Sequence, residues 1–275
     1  MARETLAPTT LDSAVLPGIE VQHATRPLQD VVGQHKAGQY LVFSAYDGHG
    51  KEGHIYANHV AMGVRRIVTG EERSVAHAAM NIADYLRRES DNPALAGKDG
   101  GTTATVIVAK DNELAAVQLG DSGAAFYPDS DSMIERWLTP IHDVSNPNER
   151  ARVIRGGGEA DDYQGFRQLP GGPWIRTPRA VGDPGFAVVS HVPEIVGFTI
   201  TEPGTLLVAT DGLWGALAAE RAEGLASFRE TSANPASRMS SERRGRIALY
   251  MAQLGRAHTN DDAGVVSVRF EHKTV

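Results

Sequence analysis

Apolar and polar positions follow two rhythms along the chain, and each predicts a kind of element. Tyr40–Ala45 is a short apolar run between glycines, the pattern of a buried strand. Residues 54–69 place Tyr56, Val60, Val64 and Ile67 on one helical face. Residues 72–89 do the same with Val75, Ala79, Ile82 and Leu86, and Ser90-Asp91-Asn92-Pro93 ends that helix. Two strands, Thr102–Ala109 and Glu113–Leu119, flank the turn Lys110-Asp111-Asn112 and predict an antiparallel hairpin; Ala124–Tyr127 continues the sheet. Asn146-Pro147-Asn148-Glu149 reads as a helix start, with Asn146 the N-cap, Pro147 the first helical residue and Glu149 the reciprocal partner of a capping box. Gly156-Gly157-Gly158 stops it, and the polar stretch 159–178 reads as a surface loop. A strand over Thr205–Thr210, helical stretches near 214–228 and 236–254, and a β-branched strand Gly264–Phe270 complete the pattern. Residues 1–18 mix Pro, Thr and Ser without periodicity and read as a flexible lead-in to a single domain over 19–275. Strands and helices come in groups, which predicts an α+β sandwich with antiparallel sheets.

Composition narrows the function. The chain has 275 residues, is 41% hydrophobic and 22% charged, and carries a formal charge of −7. That is ample for a sizeable core. No basic tract speaks for nucleic acid or an acidic membrane surface, and no run approaches the ~20 apolar residues of a spanning helix. The absence of cysteine removes disulfides, thiolate catalysis and cysteine-bound zinc. With no signal-like apolar segment after Met1-Ala2-Arg3-Glu4, the expected setting is the cytoplasm.

The chemistry sits at strand ends. Asp47-Gly48-His49-Gly50 closes the run that ends at Tyr46, Asp211-Gly212 closes the run ending at Thr210, and Asp261-Asp262 opens the last strand. An isolated Asp-Gly is most often a turn. Carboxylates set repeatedly at strand ends are instead the pattern of ligands gathered around hard cations, which take oxygen donors. A metal-dependent hydrolase follows.

The order of these blocks resembles the protein phosphatase 2C family. The resemblance rests on Asp47-Gly48-His49-Gly50, Gly100-Gly101-Thr102-Thr103-Ala104, Gly120-Asp121-Ser122, Asn146-Pro147-Asn148-Glu149-Arg150-Ala151-Arg152 with the triple glycine, Arg179-Ala180-Val181-Gly182-Asp183, Ala209-Thr210-Asp211-Gly212-Leu213-Trp214 and Asn260-Asp261-Asp262. It runs from about residue 20 to 270. It implies a four-layer α-β-β-α sandwich with two central, mostly antiparallel sheets. It also implies a cleft holding two Mn²⁺ or Mg²⁺ ions, with a third in some members, and hydrolysis of phosphoserine and phosphothreonine by water bridging the ions. Carried over by position, Asp47 bridges both ions, Gly48 offers its carbonyl, Asp211 and Asp261 hold the second ion, Asp30 belongs to an early acidic pair, and Asp121 serves the third ion. His49 falls where a general acid for the leaving oxygen is expected, and Arg26 is the candidate to hold the substrate phosphate.

The sequence departs from the family pattern at several of these places. Gln29 stands where the resemblance expects Glu, and Thr25 where it expects the phosphate-binding arginine, with Arg26 one residue nearer. Gly123 replaces an arginine, Gly215 an aspartate, and Lys51 a glycine. His142, Arg179 and Asp183 read as structural, Thr102 and Thr103 as strand residues, Gly100 and Gly101 as allowing close packing, and Trp214 as core. A phosphorylated protein is the expected substrate, with any regulation coming from a separate protein or from the loop at 159–178, and no nucleic acid or membrane. The rival readings are a phosphatase-like binding protein of little activity, and a hydrolase of small phosphoesters.

Overall fold

The computed structural model describes residues 4–16, 27–130, 136–168, 170–222, 248–249, 251–253 and 261–274. In chain order the strands β1 (Glu4–Leu16), β2 (Val31–Ala37), β3 (Tyr40–Tyr46) and β4 (Gly48–His49) lead into helices α1 (Gly53–Ile67) and α2 (Val75–Glu89). Then come β5 (Gly101–Thr102), β6 (Ala104–Lys110), β7 (Glu113–Leu119), β8 (Gly123–Pro128) and β9 (Arg136–Trp137). Helix α3 (Pro147–Arg155), β10 (Glu159–Asp161), β11 (Gly165–Arg167), β12 (Val181–Gly182), β13 (Glu194–Thr199), β14 (Gly204–Ala209), α4 (Asp211–Ala222) and β15 (Ala263–Thr274) follow.

Two five-stranded antiparallel sheets carry the fold. One runs β1-β15-β14-β8-β9 and the other β13-β7-β6-β3-β2. Successive strand residues point to opposite faces. In β3, Val42 therefore packs under α1 and α2 with Tyr56, Val60, Ile82 and Leu86, whereas Phe43 faces the other sheet and meets Ile107, Val208 and Val268. The outer face of the β1-β15-β14-β8-β9 sheet is covered by Leu213, Trp214 and Leu217 of α4 together with Ala248 and Met251. The layers are helix, sheet, sheet, helix, as the resemblance implied. Burial on both faces explains why the central strands read as unbroken apolar runs.

Local chemistry sets the helix ends. The Ser74 hydroxyl accepts from the His77 N–H and caps α2, and Arg87 and Arg88 sit in its last turn, where cations complement the helix dipole. The Asn146 side chain accepts from the N–H groups of Asn148 and Glu149 and caps α3. The capping box is only half formed. Glu149 turns its carboxylate to Arg152 and Arg179 instead of back to the cap, because two guanidinium groups bind it more strongly than one amide.

Three expectations are corrected. Within the expected lead-in, Glu4–Leu16 is not loose: it is an edge strand paired antiparallel with β15, with a register shift between Pro8 and Thr10. The 159–178 stretch contains the hairpin β10–β11, with a small core of Val153, Phe166 and Val188 beneath it. The helix expected near 214 begins at Asp211, so that aspartate occupies a first helical turn. Of the expected helix over 236–254, residues 248–249 and 251–253 are helical and the remainder lies outside the described residues.

Candidate metal centre

The ends of both sheets meet at one acidic pocket. Asp30 precedes β2, Asp47 follows β3, Asp121 lies on the crossover from β7 to β8, and Asp211 follows β14. Carboxylate oxygens of Asp47, Asp121 and Asp211 all lie within 4.8 Å of one another.

Asp47 and the turn that carries Asp121 are held through the backbone. The Asp47 N–H donates to the Thr103 hydroxyl (3.0 Å), and its carbonyl accepts from the Thr103 N–H (2.9 Å) and the Thr102 hydroxyl (3.1 Å). Thr103 also shares a 2.7 Å hydrogen bond with Ser122, next to Asp121. The buried Gln118 amide donates to the carbonyls of Gly120 (2.9 Å) and Ser122 (2.6 Å) and so fixes the turn that carries Asp121. Gly48 has no room for a Cβ, which would stand 2.6 Å from the Gly53 carbonyl and 2.8 Å from that of Gln29. Glycine at this position is what lets Asp47 and the start of α1 approach.

The electrostatics are those of a site built for a cation. Burial first, then the charges of Asp211, Asp30, Asp261 and Asp121, raise the Asp47 carboxyl well above its ordinary range. Burial also raises Asp30, reinforced by Asp211, Asp262 and Asp261 and opposed by a 2.7 Å hydrogen bond from the Thr210 hydroxyl. Asp121 is pushed up to about 8, by burial and then by Asp211. Asp211 Oδ1 is buried with no hydrogen-bond partner among the described residues. A buried unpartnered carboxylate oxygen is costly unless something else meets it. Oxygen donors alone, crowded like charge and an orphaned oxygen together fit a hard divalent ion of the Mg²⁺ or Mn²⁺ kind.

The remaining candidates fall around this core. Asp261 is exposed and outside the tight trio, although its charge acts on Asp47 and Asp30; its Oδ1 accepts from the Asp262 N–H. Asp262 is buried and anchors the Gln29 N–H (2.9 Å), so the two neighbours divide their work. Gly212 makes that possible, since a Cβ there would meet the Asp262 carbonyl at 2.0 Å. The Gln29 amide donates to the Gly50 carbonyl (2.7 Å), a bond that a glutamate could not make. Arg26 lies outside the described residues.

His49 stands at the rim, its side chain 31% exposed, with Nε2 2.7 Å from Asp183 Oδ2. Burial pulls its pKa down, but the hydrogen bond and charge of Asp183, then Asp121 and Asp211, outweigh that and leave it raised. Asp183 is held at φ 54°, its N–H on the Gly100 carbonyl, and a Cβ at Gly101 would strike both Asp183 and His49. The reading of Asp183 as structural therefore missed its contact with His49. Thr103, Gln118 and Thr210 were missed in the same way. The one signal was that Thr103 and Thr210 belong to the motif blocks themselves.

Known proteins resemble this chain in sequence and fold. The family model for Protein phosphatase 2C matches residues 43–253. The chain belongs to the protein phosphatase 2C family. Among relatives, a probable protein phosphatase 2C 3 from Oryza sativa subsp. japonica is 28% identical over 200 residues, covering 66% of this chain and 40% of its own. An integrin-linked kinase-associated serine/threonine phosphatase 2C from Bos taurus is 26% identical over 226 residues, covering 74% and 59%. The chain thus spans less than two thirds of these relatives. Among solved structures, the catalytic domain of serine threonine protein phosphatase PstP in complex with two manganese ions has a TM-score of 0.63 at 14% identity, covering 98% of this chain and 99% of its own. The PPM Ser-Thr phosphatase MsPP from Mycobacterium smegmatis, in complex with cacodylate, has a TM-score of 0.59 at 16% identity, covering 95% and 98%. At such identities the structural likeness speaks for the phosphatase 2C fold.

Proposed function

We propose that this chain is a metal-dependent serine/threonine protein phosphatase using Mn²⁺ or Mg²⁺. The observation that carries the reading is the trio Asp47, Asp121 and Asp211 within 4.8 Å, with an orphaned Asp211 oxygen, in a phosphatase 2C chain. Asp47 and Asp211 would hold the ions with Asp30, Asp261 and the Gly48 carbonyl, and Asp121 would serve a further one. When bound, such ions supply an acidified water and neutralise charge on the phosphoryl oxygens.

The chain's own part is positioning and proton delivery. Thr102 and Thr103 fix Asp47 through its backbone, and Gln118 fixes Asp121, so neither carboxylate has to be ordered when a cation arrives. His49 delivers a proton to the departing serine or threonine oxygen. With Nε2 tied to Asp183, Nδ1 is the nitrogen left to donate it, and the neutral ring keeps its Nε2–H on Asp183. Arg26 is the candidate for holding the phosphate. A cytoplasmic setting and a separate regulatory protein belong to the same reading. The lack of cysteine supports the first, and among the described residues no helix is long and apolar enough to cross a membrane.

Hydrolysis of a phosphothreonine peptide with and without Mn²⁺ tests it. Wild-type protein should turn over the peptide only with metal, and Asp211→Asn should lose ~100-fold or more while keeping its circular dichroism spectrum. Metal-independent turnover, or a strong preference for small phosphorylated metabolites, would overturn it.

A further inference from the structure

A second feature adjoins the trio. Asp121 and Asp211 also form one wall of an open cleft of about 290 Å³. The rest of its lining mixes an apolar and aromatic surface, Trp137, Ile141, Val144 and Trp214, with polar groups, Asp143, Asp162, Tyr163 and Arg176, and the glycines Gly165 and Gly215. The two tryptophan rings meet with centroids 4.7 Å apart and planes tilted 58°. Trp214 is buried and pinned by its Nε1–H on the Ala209 carbonyl (3.0 Å), while Trp137 remains 44% exposed. Tyr163, at the tip of the β10–β11 hairpin, is 90% exposed. Arg176 is exposed and pairs with no carboxylate among the described residues. Gly123 keeps the cleft in this shape. A Cβ there would stand 3.1 Å from the Trp137 ring and 2.9 Å from Ile141, so a longer side chain would push both outward.

None of this apolar surface serves the metal trio. Exposed aromatic rings beside a charged site are costly to leave in water and are the usual anchors for a binding partner. The cleft is too small for a cofactor and suits one large side chain. What occupies it is set by what it adjoins. The trio and the cleft share Asp121 and Asp211, and neighbouring substrate residues have Cα atoms ~3.8 Å apart, so with a phosphoryl group at Asp47, Asp121 and Asp211 a flanking side chain comes within reach of this cleft. Resting on the phosphatase reading above, we propose that the cleft seats the side chain directly flanking the phosphorylated residue and selects a large apolar one, phenylalanine or leucine. Trp137 and Trp214 form the floor, Tyr163 overhangs the opening, and the Arg176 guanidinium offers its face to an aromatic ring.

The test uses the Mn²⁺-loaded enzyme and phosphothreonine peptides that carry Phe, Leu, Ala or Asp at each flanking position, with p-nitrophenyl phosphate alongside. The Phe and Leu peptides should show kcat/KM ~10-fold above the Ala peptide at one flank. In Tyr163→Ala, and in Gly215→Asp, which sets a further carboxylate directly beside Trp214, that ratio should fall towards one. Because the ratio is internal to each enzyme, a loss of overall rate does not imitate the effect, and the wild-type series alone decides if a variant does not fold. Equal kcat/KM across the peptides, with p-nitrophenyl phosphate hydrolysed, would overturn the apolar seat and leave the phosphatase reading standing. Fastest turnover of the Asp peptide would also overturn it and mark Arg176 as an ion-pairing anchor. No hydrolysis of any compound would fell both.

Discussion

Replacing Asp121 with Asn should change how the stability of the metal-free protein depends on pH. Burial and the Asp211 charge move this carboxyl from 3.8 to about 8. Between those values the folded protein holds a proton that the unfolded chain has released. Stability from this group is therefore fully present below the ordinary aspartate range and is lost as pH rises towards 8. One proton taken up on folding corresponds to a slope of ~1.4 kcal/mol per pH unit, so from pH 5 to 7 the wild type loses ~2.7 kcal/mol through Asp121 alone. The Asn side chain does not titrate, and with one charge fewer Asp47 is also less perturbed. Urea unfolding followed by tryptophan fluorescence, with chelator present, at pH 5, 6 and 7 should give a stability profile shallower than wild type by at least that slope. Added Mn²⁺ should reverse the wild-type trend, because the ion binds the ionised carboxylates and displaces their protons. Parallel pH profiles for wild type and Asp121→Asn would refute the argument that burial and the neighbouring Asp211 charge keep this carboxyl protonated in the metal-free fold.

Two more outcomes follow from side chains around the centre. Asp183→Asn removes the charge that holds His49 protonated, so turnover of a phosphothreonine peptide should drop ~100-fold, while p-nitrophenyl phosphate, whose phenolate leaves without a proton, should lose much less; an equal loss on both substrates would mean that His49 donates no proton. Glu149→Ala strips a buried carboxylate from Arg179 and Arg152 and should cost about 3 kcal/mol in urea unfolding at pH 7, the low end for a broken buried pair because Arg179 keeps Glu194. The Glu149 carboxyl is held below its ordinary range, so the difference from wild type should be present at neutral pH and shrink as pH falls through the Glu149 pKa; a constant difference would refute the ionic origin.

What could be read from the sequence follows from how local each signal is. Helix α1, helix α2 and the β6–β7 hairpin announce themselves through neighbours within a few residues, and their limits fall close to those expected. Strand β1 does not. It lies at a sheet edge and its partner is the far end of the chain. Its register shifts between Pro8 and Thr10, and an edge strand tolerates the proline that disguised it. The acidic residues were legible as a set because strand ends carry them into one place. Their supports were not. Thr210 and Gly264 meet across 54 positions and Asp183 meets His49 across 134, distances at which no periodicity carries information. Glu149 shows the limit from the other side: its spacing to Asn146 satisfied a local rule, and two distant arginines overrode it.

The placement of Asp30 and Asp47 on one sheet, and of Asp211 and Asp261 on the other, has a mechanical consequence. Away from this corner the sheets touch through side chains such as Phe43 and Val208, contacts that tolerate small sliding. An ion held by these carboxylates, as proposed above, would be gripped from both sides, a rivet through the seam. Occupancy of the centre and stiffness of the whole sandwich then become one variable, and a cell's supply of divalent ions would tune how readily the two halves shear.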